Sequence, residues 1–117
     1  MECRIISFLG IHQFEDGRAT RGGILITDKT TKPLEFRVTS PVRPEKFQKV
    51  LYGEILDEHI AVTLIGLPLL ESVQQKPDLI IVRDSLLLGI NTYQEIPSIL
   101  MLAEKEDTAL SIFMKYT

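Results

Sequence analysis

The sequence predicts an α+β fold: a curved, mostly antiparallel sheet with a long or kinked helix, or a helix pair, packed on one face. Two groups of short β-branched runs lie toward the two ends of the chain, and one apolar repeat with helical spacing separates them. The 117 residues, 44% hydrophobic and 25% charged, have the size and balance of one globular domain spanning 1–117.

Three strands are predicted in the first part of the chain. Residues 4–11 and 22–28 are apolar and β-branched, and residues 12–21 between them are polar enough to predict a loop. Apolar and polar side chains alternate at residues 34–39, which indicates a strand with one buried face and one solvent-exposed face. The face expected to be buried carries Leu34, Phe36 and Val38. The second and third strands are expected to form an antiparallel hairpin.

A helix is predicted to begin near Glu45, after a turn forced by two prolines, because Pro44 suits the first helical position. Its expected core-facing stripe consists of Phe47, Val50, Leu51 and Ile55, with Ile60 and Leu64 as its continuation. Gly66 and Pro68 interrupt the repeat, so the helix either kinks there or ends before a second helix. Residues 61–65 are β-branched enough that a short strand is the alternative.

The last part of the chain predicts a second antiparallel group. Its strands are expected at residues 78–83, 98–103 and 109–116, and residues 86–90 are expected to be a neighbour of the first of these strands or its continuation. Both faces of the last run are partly apolar, so it is expected to be an exposed edge. Because exposed edges pair with other chains, we expect a homodimer formed by edge or face association.

A basic segment links the third strand to the helix, and we call residues 37–49 the elbow. Residues 17–49 carry eight Lys or Arg against three acids, a local charge of +5 in a protein whose net charge is −3. Cations at a helix start oppose the helix dipole, so an anion is expected there. The candidate binding residues are Arg37, Thr39, Ser40, Arg43, Lys46, Lys49 and Tyr52. The alternative is a solvated face whose arginines pair with nearby acids.

Three carboxylates offer a second hypothesis. Asp28 and Asp84 end two predicted strands, and Glu71 lies on the predicted helix between them. If they converged, they could bind Mg²⁺ or Mn²⁺ for phosphodiester hydrolysis. The alternative is that these aspartates are ordinary residues of strand-to-turn boundaries.

Other classes of site lack a sequence signal. His12 and His59 have no second ligand at metal spacing, and no cofactor motif is present. The lone Cys3 and the lack of a long apolar run predict a cytoplasmic protein without a membrane segment. The leading hypothesis is a non-enzymatic adaptor whose elbow docks an acidic protein or a phosphate-bearing ligand. The net negative charge argues against tight nonspecific DNA binding, so a nucleic-acid partner has only weak support. The alternative function is a divalent-metal nuclease.

The runs GGILITD and PLEFRVTSPVRPEKFQKVLYG, with GLPLLESV and PDLIIVRD, resemble a family of small prokaryotic proteins of unknown function. The resemblance covers roughly residues 21–84. It implies a bacterial or archaeal cytoplasmic protein and implies no activity, cofactor or catalytic residue. The order of elements is also similar, at fold level, to ribonuclease H-like nucleases and to profilin-like or longin-like adaptor domains.

Overall fold

A mixed five-stranded sheet organises the protein in this computed structural model. The structure describes residues 4–101, and for residues 46, 47 and 54 it describes the backbone alone. The strands are β1 (Ile5–Phe14), β2 (Ala19–Asp28), β3 (Pro33–Val38), β4 (Leu79–Val82) and β5 (Ser98–Leu100). Their spatial order is β3-β2-β1-β4-β5. The predicted α+β class is confirmed.

A helical segment, here called the joined helix, connects β3 to β4; it is broken once, at Gly53, and is continuous from Ile55 to Ser72. It consists of α1 (Lys46–His59), a wide π-helical segment (Ile60–Gly66) and α2 (Leu67–Ser72). The start is as predicted within a residue, because Glu45 and Gln48 form a capping box. No helix within residues 4–101 combines the length and the apolarity that crossing a bilayer requires.

The joined helix continues through the residues predicted to interrupt it. The Leu67 N–H donates to the carbonyl of Val62, five residues back, so the wide turn comes just before Pro68. Pro68 follows this wide turn as the second residue of α2, and the widened turn accommodates a residue that would kink a regular α-helix. The break lies earlier, at Gly53, whose φ of 51° and ψ of −127° are not helical. Residues 61–65 are helical, so the strand alternative is wrong.

The first two strands are longer than predicted and form a hairpin. β1 and β2 pair along their full length, from Ile5 opposite Asp28 to Phe14 opposite Ala19. The turn between them is tight because Glu15, Asp16 and Gly17 all have positive φ, the conformation that an Asp-Gly pair favours. Most of the loop predicted at residues 12–21 is therefore strand.

The second group of strands is parallel, which corrects the prediction of antiparallel pairing. β4 pairs parallel with β1, and β5 pairs parallel with β4. Each crossover contains helix: the joined helix before β4, and a 3-10 helix (Ser85–Thr92) before β5. The 3-10 helix replaces the strand predicted at 86–90, because the Asp84 carboxylate accepts from Leu86 N–H at 2.9 Å and starts a turn. The strand predicted at 109–116 lies outside the described residues.

The core lies between one face of the sheet and the joined helix. The buried strand residues on this face include Leu9, Ile24, Ile26, Ile80 and Val82. The helical segments contribute Ile60, Ala61, Val62, Ile65, Leu69, Leu87 and Ile90. Gly22 lets the helix approach β2 closely: a Cβ there would overlap the Cγ2 of Ile65 and lie 3.2 Å from the Cδ1 of Leu69.

The apolar face of β3 does not join this core, contrary to the prediction. Phe36 lies opposite Leu25, on the sheet face that points away from the helices. Glu35 lies on the helix side, where its carboxylate accepts from the N–H groups of Gln74 and Gln75 at 3.1 and 2.6 Å. The backbone that follows α2 is therefore bonded to Glu35, and the alternation of β3 is inverted.

The predicted stripe of α1 is also misplaced. Val50, Leu51 and Ile55 are exposed, because α1 contacts mainly the helical segments that follow it and the sheet hardly at all. The side chain of Phe47 lies outside the described residues.

Asp78 anchors the start of β1 to the start of β4. Its Oδ2 accepts from the N–H groups of Arg4 and Ile5 at 2.9 and 3.0 Å, and its own N–H donates to the Ile5 carbonyl. The N–H bonds from Ile5 and Arg4 hold the pKa of Asp78 below its usual value.

Two glycine-to-alanine substitutions, one on each face of the sheet, should differ in their effect on the free energy of unfolding. Gly22→Ala should lower the free energy of unfolding by about 1–3 kcal/mol, because the added methyl group overpacks the contact with Ile65. Gly10→Ala should leave it unchanged or raise it by up to about 1 kcal/mol, since nothing lies within 4 Å of a Cβ there. Urea denaturation of both variants measures the difference, and equal losses would contradict the assignment of faces.

Candidate functional site

The sheet face away from the helices, here called the open face, carries an apolar row across all five strands. In register across the sheet lie Phe36, Leu25, Phe8, Ile81 and Ile99. The three central residues are buried against one another, whereas Phe36 and Ile99 at the edges are about half exposed, at 46% and 47%. Among the described residues, no helix covers this row.

A trough of about 280 Å³ lies at one end of the open face. Gly10 and Gly23 pair with each other in its floor, and the absence of side chains there creates the depression. Phe8, Phe36 and Val38 form apolar walls. The trough therefore offers a flat aromatic and aliphatic surface wide enough for a ring-sized group.

Two arginines and a histidine line the mouth of the trough. His12 lies opposite Arg21 across the β1–β2 pair, and Arg83 follows the last residue of β4 on the same face. All three side chains are exposed, and neither arginine forms an ion pair within residues 4–101. Sequence reasoning missed this group because it placed residues 12–21 in a loop. The signal was the Asp-Gly turn, which extends both strands and brings His12 beside Arg21.

The elbow runs along β2 next to this group. Thr20 exchanges backbone hydrogen bonds with Val42 at 2.9 and 2.8 Å. Gly22 N–H donates to the Thr39 hydroxyl, and Thr39 N–H donates to the Gly22 carbonyl, both at 3.0 Å. These bonds flank Arg21 on both sides, so the elbow and the trough form one continuous surface, with Ser40 exposed on it.

Arg43 of the elbow is paired inside the protein. Its guanidinium donates two hydrogen bonds to the Glu15 carboxylate, at 3.1 and 3.0 Å, and lies 5.9 Å from the centre of the Phe14 ring. The bond from Arg43 holds the pKa of Glu15 below its usual value, and Glu15 raises the pKa of Arg43. Arg43 therefore holds the β1–β2 turn against the elbow through a bidentate ion pair.

The remaining candidate binding residues are dispersed. Arg37 donates to Glu35 at 3.2 Å on the helix side of the sheet, and Lys49 Nζ donates to the Gly17 carbonyl. Tyr52 is exposed on α1, and the Lys46 side chain lies outside the described residues. The structure thus places Thr39 against Gly22 of β2, directs Arg43 to the β1–β2 turn and leaves Arg37 on the helix side of the sheet.

The three carboxylates of the nuclease hypothesis do not converge. Asp28 lies opposite Ile5 at one end of the sheet, whereas Asp84 lies two residues beyond Val82 at the other end. Given the rise per residue along a strand, the two aspartates are roughly 20 Å apart. The Asp28 carboxylate accepts hydrogen bonds within the turn that follows it. The bonds from the Thr30 hydroxyl and the Lys32 N–H lower the pKa of Asp28. Glu71 is exposed on α2. No three Asp, Glu, His or Cys residues within 4–101 form a group that could hold a metal ion.

Two solved structures of Endonuclease V from Ciona intestinalis, each in complex with inosine-containing DNA, are similar to this chain. The first has 9% sequence identity and a TM-score of 0.50, and the match covers 97% of this chain and 55% of that one. The second, a variant of the same enzyme, has 10% identity, a TM-score of 0.48 and the same coverage. This chain spans about half the length of Endonuclease V, and the first likeness shows a shared fold alone. No protein-family model and no curated protein matches the sequence.

Glu35 should make folding stability depend on pH. Hydrogen bonds from the backbone of Gln75 and Gln74, and from Arg37, lower its pKa from the usual 4.5. A lowered pKa stabilises the fold above the unfolded value, and this contribution is lost as the pH falls through the folded value. The free energy of unfolding should therefore decline more steeply below about pH 4.5 in the wild type than in Glu35→Gln. Glu95→Gln is the control, since Glu95 is exposed; equal slopes in all three proteins would contradict the role of Glu35.

Proposed function

We propose that this protein is a binding module that docks single-stranded nucleic acid at the surface formed by the trough and the adjoining elbow. The observation that carries the proposal is the placement of Arg21, Arg83 and His12 around one apolar trough, with both arginines free of ion pairs inside residues 4–101. Exposed cations beside an apolar surface fit a ligand that has both phosphates and flat rings.

The walls of the trough favour a nucleic acid over a simple anion. Bases stack on aromatic rings regardless of their sequence, and the rings of Phe8 and Phe36 line the trough. Arg21 and Arg83 would then contact the sugar–phosphate backbone. The fold supports the proposal at the level of analogy, because Endonuclease V, which is similar in fold, was solved in complex with DNA.

The elbow contributes less charge to this surface than its composition suggests. Arg43 and Lys49 are engaged by Glu15 and by the Gly17 carbonyl, and Arg37 lies on the opposite face. Its part in binding is to hold β2 in place through Thr39 and Val42 and to offer the exposed Ser40 hydroxyl. The nuclease alternative gains a shared fold from the comparison, but Asp28 and Asp84 lie at opposite ends of the sheet and cannot share one metal.

The charge contribution is tested by the salt dependence of binding. Binding of a fluorescein-labelled oligothymidylate should weaken with salt, and each phosphate contact that is lost should reduce the slope of log K against log salt by about 0.7. Arg21→Gln and Arg83→Gln should each reduce the slope by that amount. Fluorescence anisotropy at several salt concentrations measures it.

Lys32→Gln is the matched control for this experiment. It removes the same charge from the β2–β3 turn, at the end of the sheet away from the trough, and should leave the slope unchanged. An equal reduction in Lys32→Gln would mean that binding follows overall charge and not the trough. Binding of an acidic phosphopeptide in place of the oligonucleotide would overturn the choice of nucleic acid.

The contribution of the bases is tested at Phe36. Phe36→Ala should weaken oligothymidylate binding by about 1–3 kcal/mol, the amount expected from one lost stacking contact. Competition by inorganic phosphate should be the same for Phe36→Ala as for the wild type, because phosphate has no ring to stack. Leu34→Ala, an exposed apolar position on the same strand, serves as the control. Unchanged oligonucleotide affinity in Phe36→Ala would place the bases elsewhere.

A further inference from the structure

The apolar row of the open face ends in exposed side chains at both edges of the sheet. Phe36 on β3 and Ile99 on β5 are about half exposed, and Val38, two residues after Phe36 on the same face, is 57% exposed. Apolar surface that is continuous across a sheet and left exposed marks an interaction site. The row is therefore expected to have an occupant, and the course of the chain indicates which one.

The described part of the chain leaves the sheet on this same face. The Met101 N–H donates to the Val82 carbonyl at 2.9 Å, which continues the pairing of β5 with β4 by one residue. The Met101 side chain packs against the open-face cluster of Phe8, Leu25 and Ile81. The chain that follows Met101 therefore starts beside the apolar row.

The sequence that follows Met101 has the composition and the length to cover the row. Residues 102–108 carry four charges and would serve as a polar connector, whereas six of the eight residues 109–116 are apolar and only Lys115 is charged. The row crosses four strand spacings, which is roughly 19 Å in all. Eight residues reach at most about 26 Å, so residues 109–116 are long enough to span the row.

We infer that residues 109–116 of this chain, here called the cover segment, pack across the apolar row of the open face. The short connector favours this occupant over a separate partner. A segment held on a connector of seven residues has an effective concentration in the millimolar range at a site that it can reach. The docking itself does not depend on the function proposed above.

The cover segment and the ligand of the trough would use the same surface. Phe8, Phe36 and Ile81 belong to the row and also line the trough, so a base cannot stack there while the segment lies on them. This competition rests on the proposed function. A face that is covered in nine molecules of ten binds its ligand about tenfold more weakly than a free face.

Photo-cross-linking in the full chain tests the placement of the cover segment. Replacement of Phe113 by p-benzoylphenylalanine should give cross-links within a monomer to peptides that carry Phe8, Leu25 or Ile81. The same group in place of Ile55, which is 75% exposed on α1, should not label those peptides. Cross-links confined to β5 would mean that the segment extends the sheet edge, and cross-links between two chains would mean that a second copy is the occupant. Either result, or no cross-link to these peptides, would overturn the inference.

Oligothymidylate binding by the full chain tests the competition. The double variant Ile112→Ser with Phe113→Ser should bind at least about threefold more tightly than the wild type, because a weakened segment leaves the face free more often. The salt dependence should stay the same, since no charge is changed. The matched control, Val50→Ser with Leu51→Ser, removes two adjacent apolar side chains that are exposed on α1 and should leave the affinity unchanged.

The two experiments distinguish failure of the inference from failure of the proposed function. Equal affinities of the wild type and the Ile112/Phe113 variant, or an equal gain in the control variant, would overturn the competition. Absence of oligothymidylate binding in every variant would refute the proposed function, and the cross-link from position 113 alone would then decide whether the segment docks on the row.

Discussion

The pairing of β1 on both of its edges is the constraint on which the rest of the structure depends. β1 is antiparallel to β2 and parallel to β4. A tight turn can join the antiparallel pair, but a parallel pair requires a crossover, so the joined helix must lie between β3 and β4. The register of these pairings then determines which side chains lie on each face of the sheet. Leu9 points to the helices, and its neighbour Phe8 points to the open face. A slip of one residue would exchange the two faces and empty both the core and the trough.

Local patterns were sufficient for the fold class and for the β2–β3 hairpin, because alternation and turn residues act over a few positions. They were insufficient to predict the parallel pairing of β4, because Leu79 pairs with Ile6, 73 positions earlier in the chain. Phe36 shows the same limit in another form. Alternation reveals that a strand has two different faces, but which face the helices cover depends on Glu35 bonding to the backbone after α2.

The candidate site was only partly accessible to sequence reasoning for a related reason. The cluster of cations in the elbow is visible in the sequence, but the partner of Arg43 is Glu15, 28 positions away. A basic residue that is paired in this way links two parts of the protein and is no longer available to contact a ligand. The trough depends on Gly10, Gly23 and Arg83 meeting across three strands, and no spacing along the chain reports that meeting.

The parallel pairing of β1 with β4 also sets an order of events for a chain leaving the ribosome. β1, β2 and β3 can form a meander as soon as residue 38 has emerged, whereas Leu79 follows its partner Ile6 by 73 positions. At a synthesis rate of about 5–20 residues per second, the 41 residues from Val38 to Leu79 take roughly 2–8 s, and the second edge of β1 waits for its partner during that time. During that interval the central strand of the finished sheet is the edge strand of the nascent one. The backbone groups of residues 6–9 are then the ones most open to pairing with a neighbouring chain.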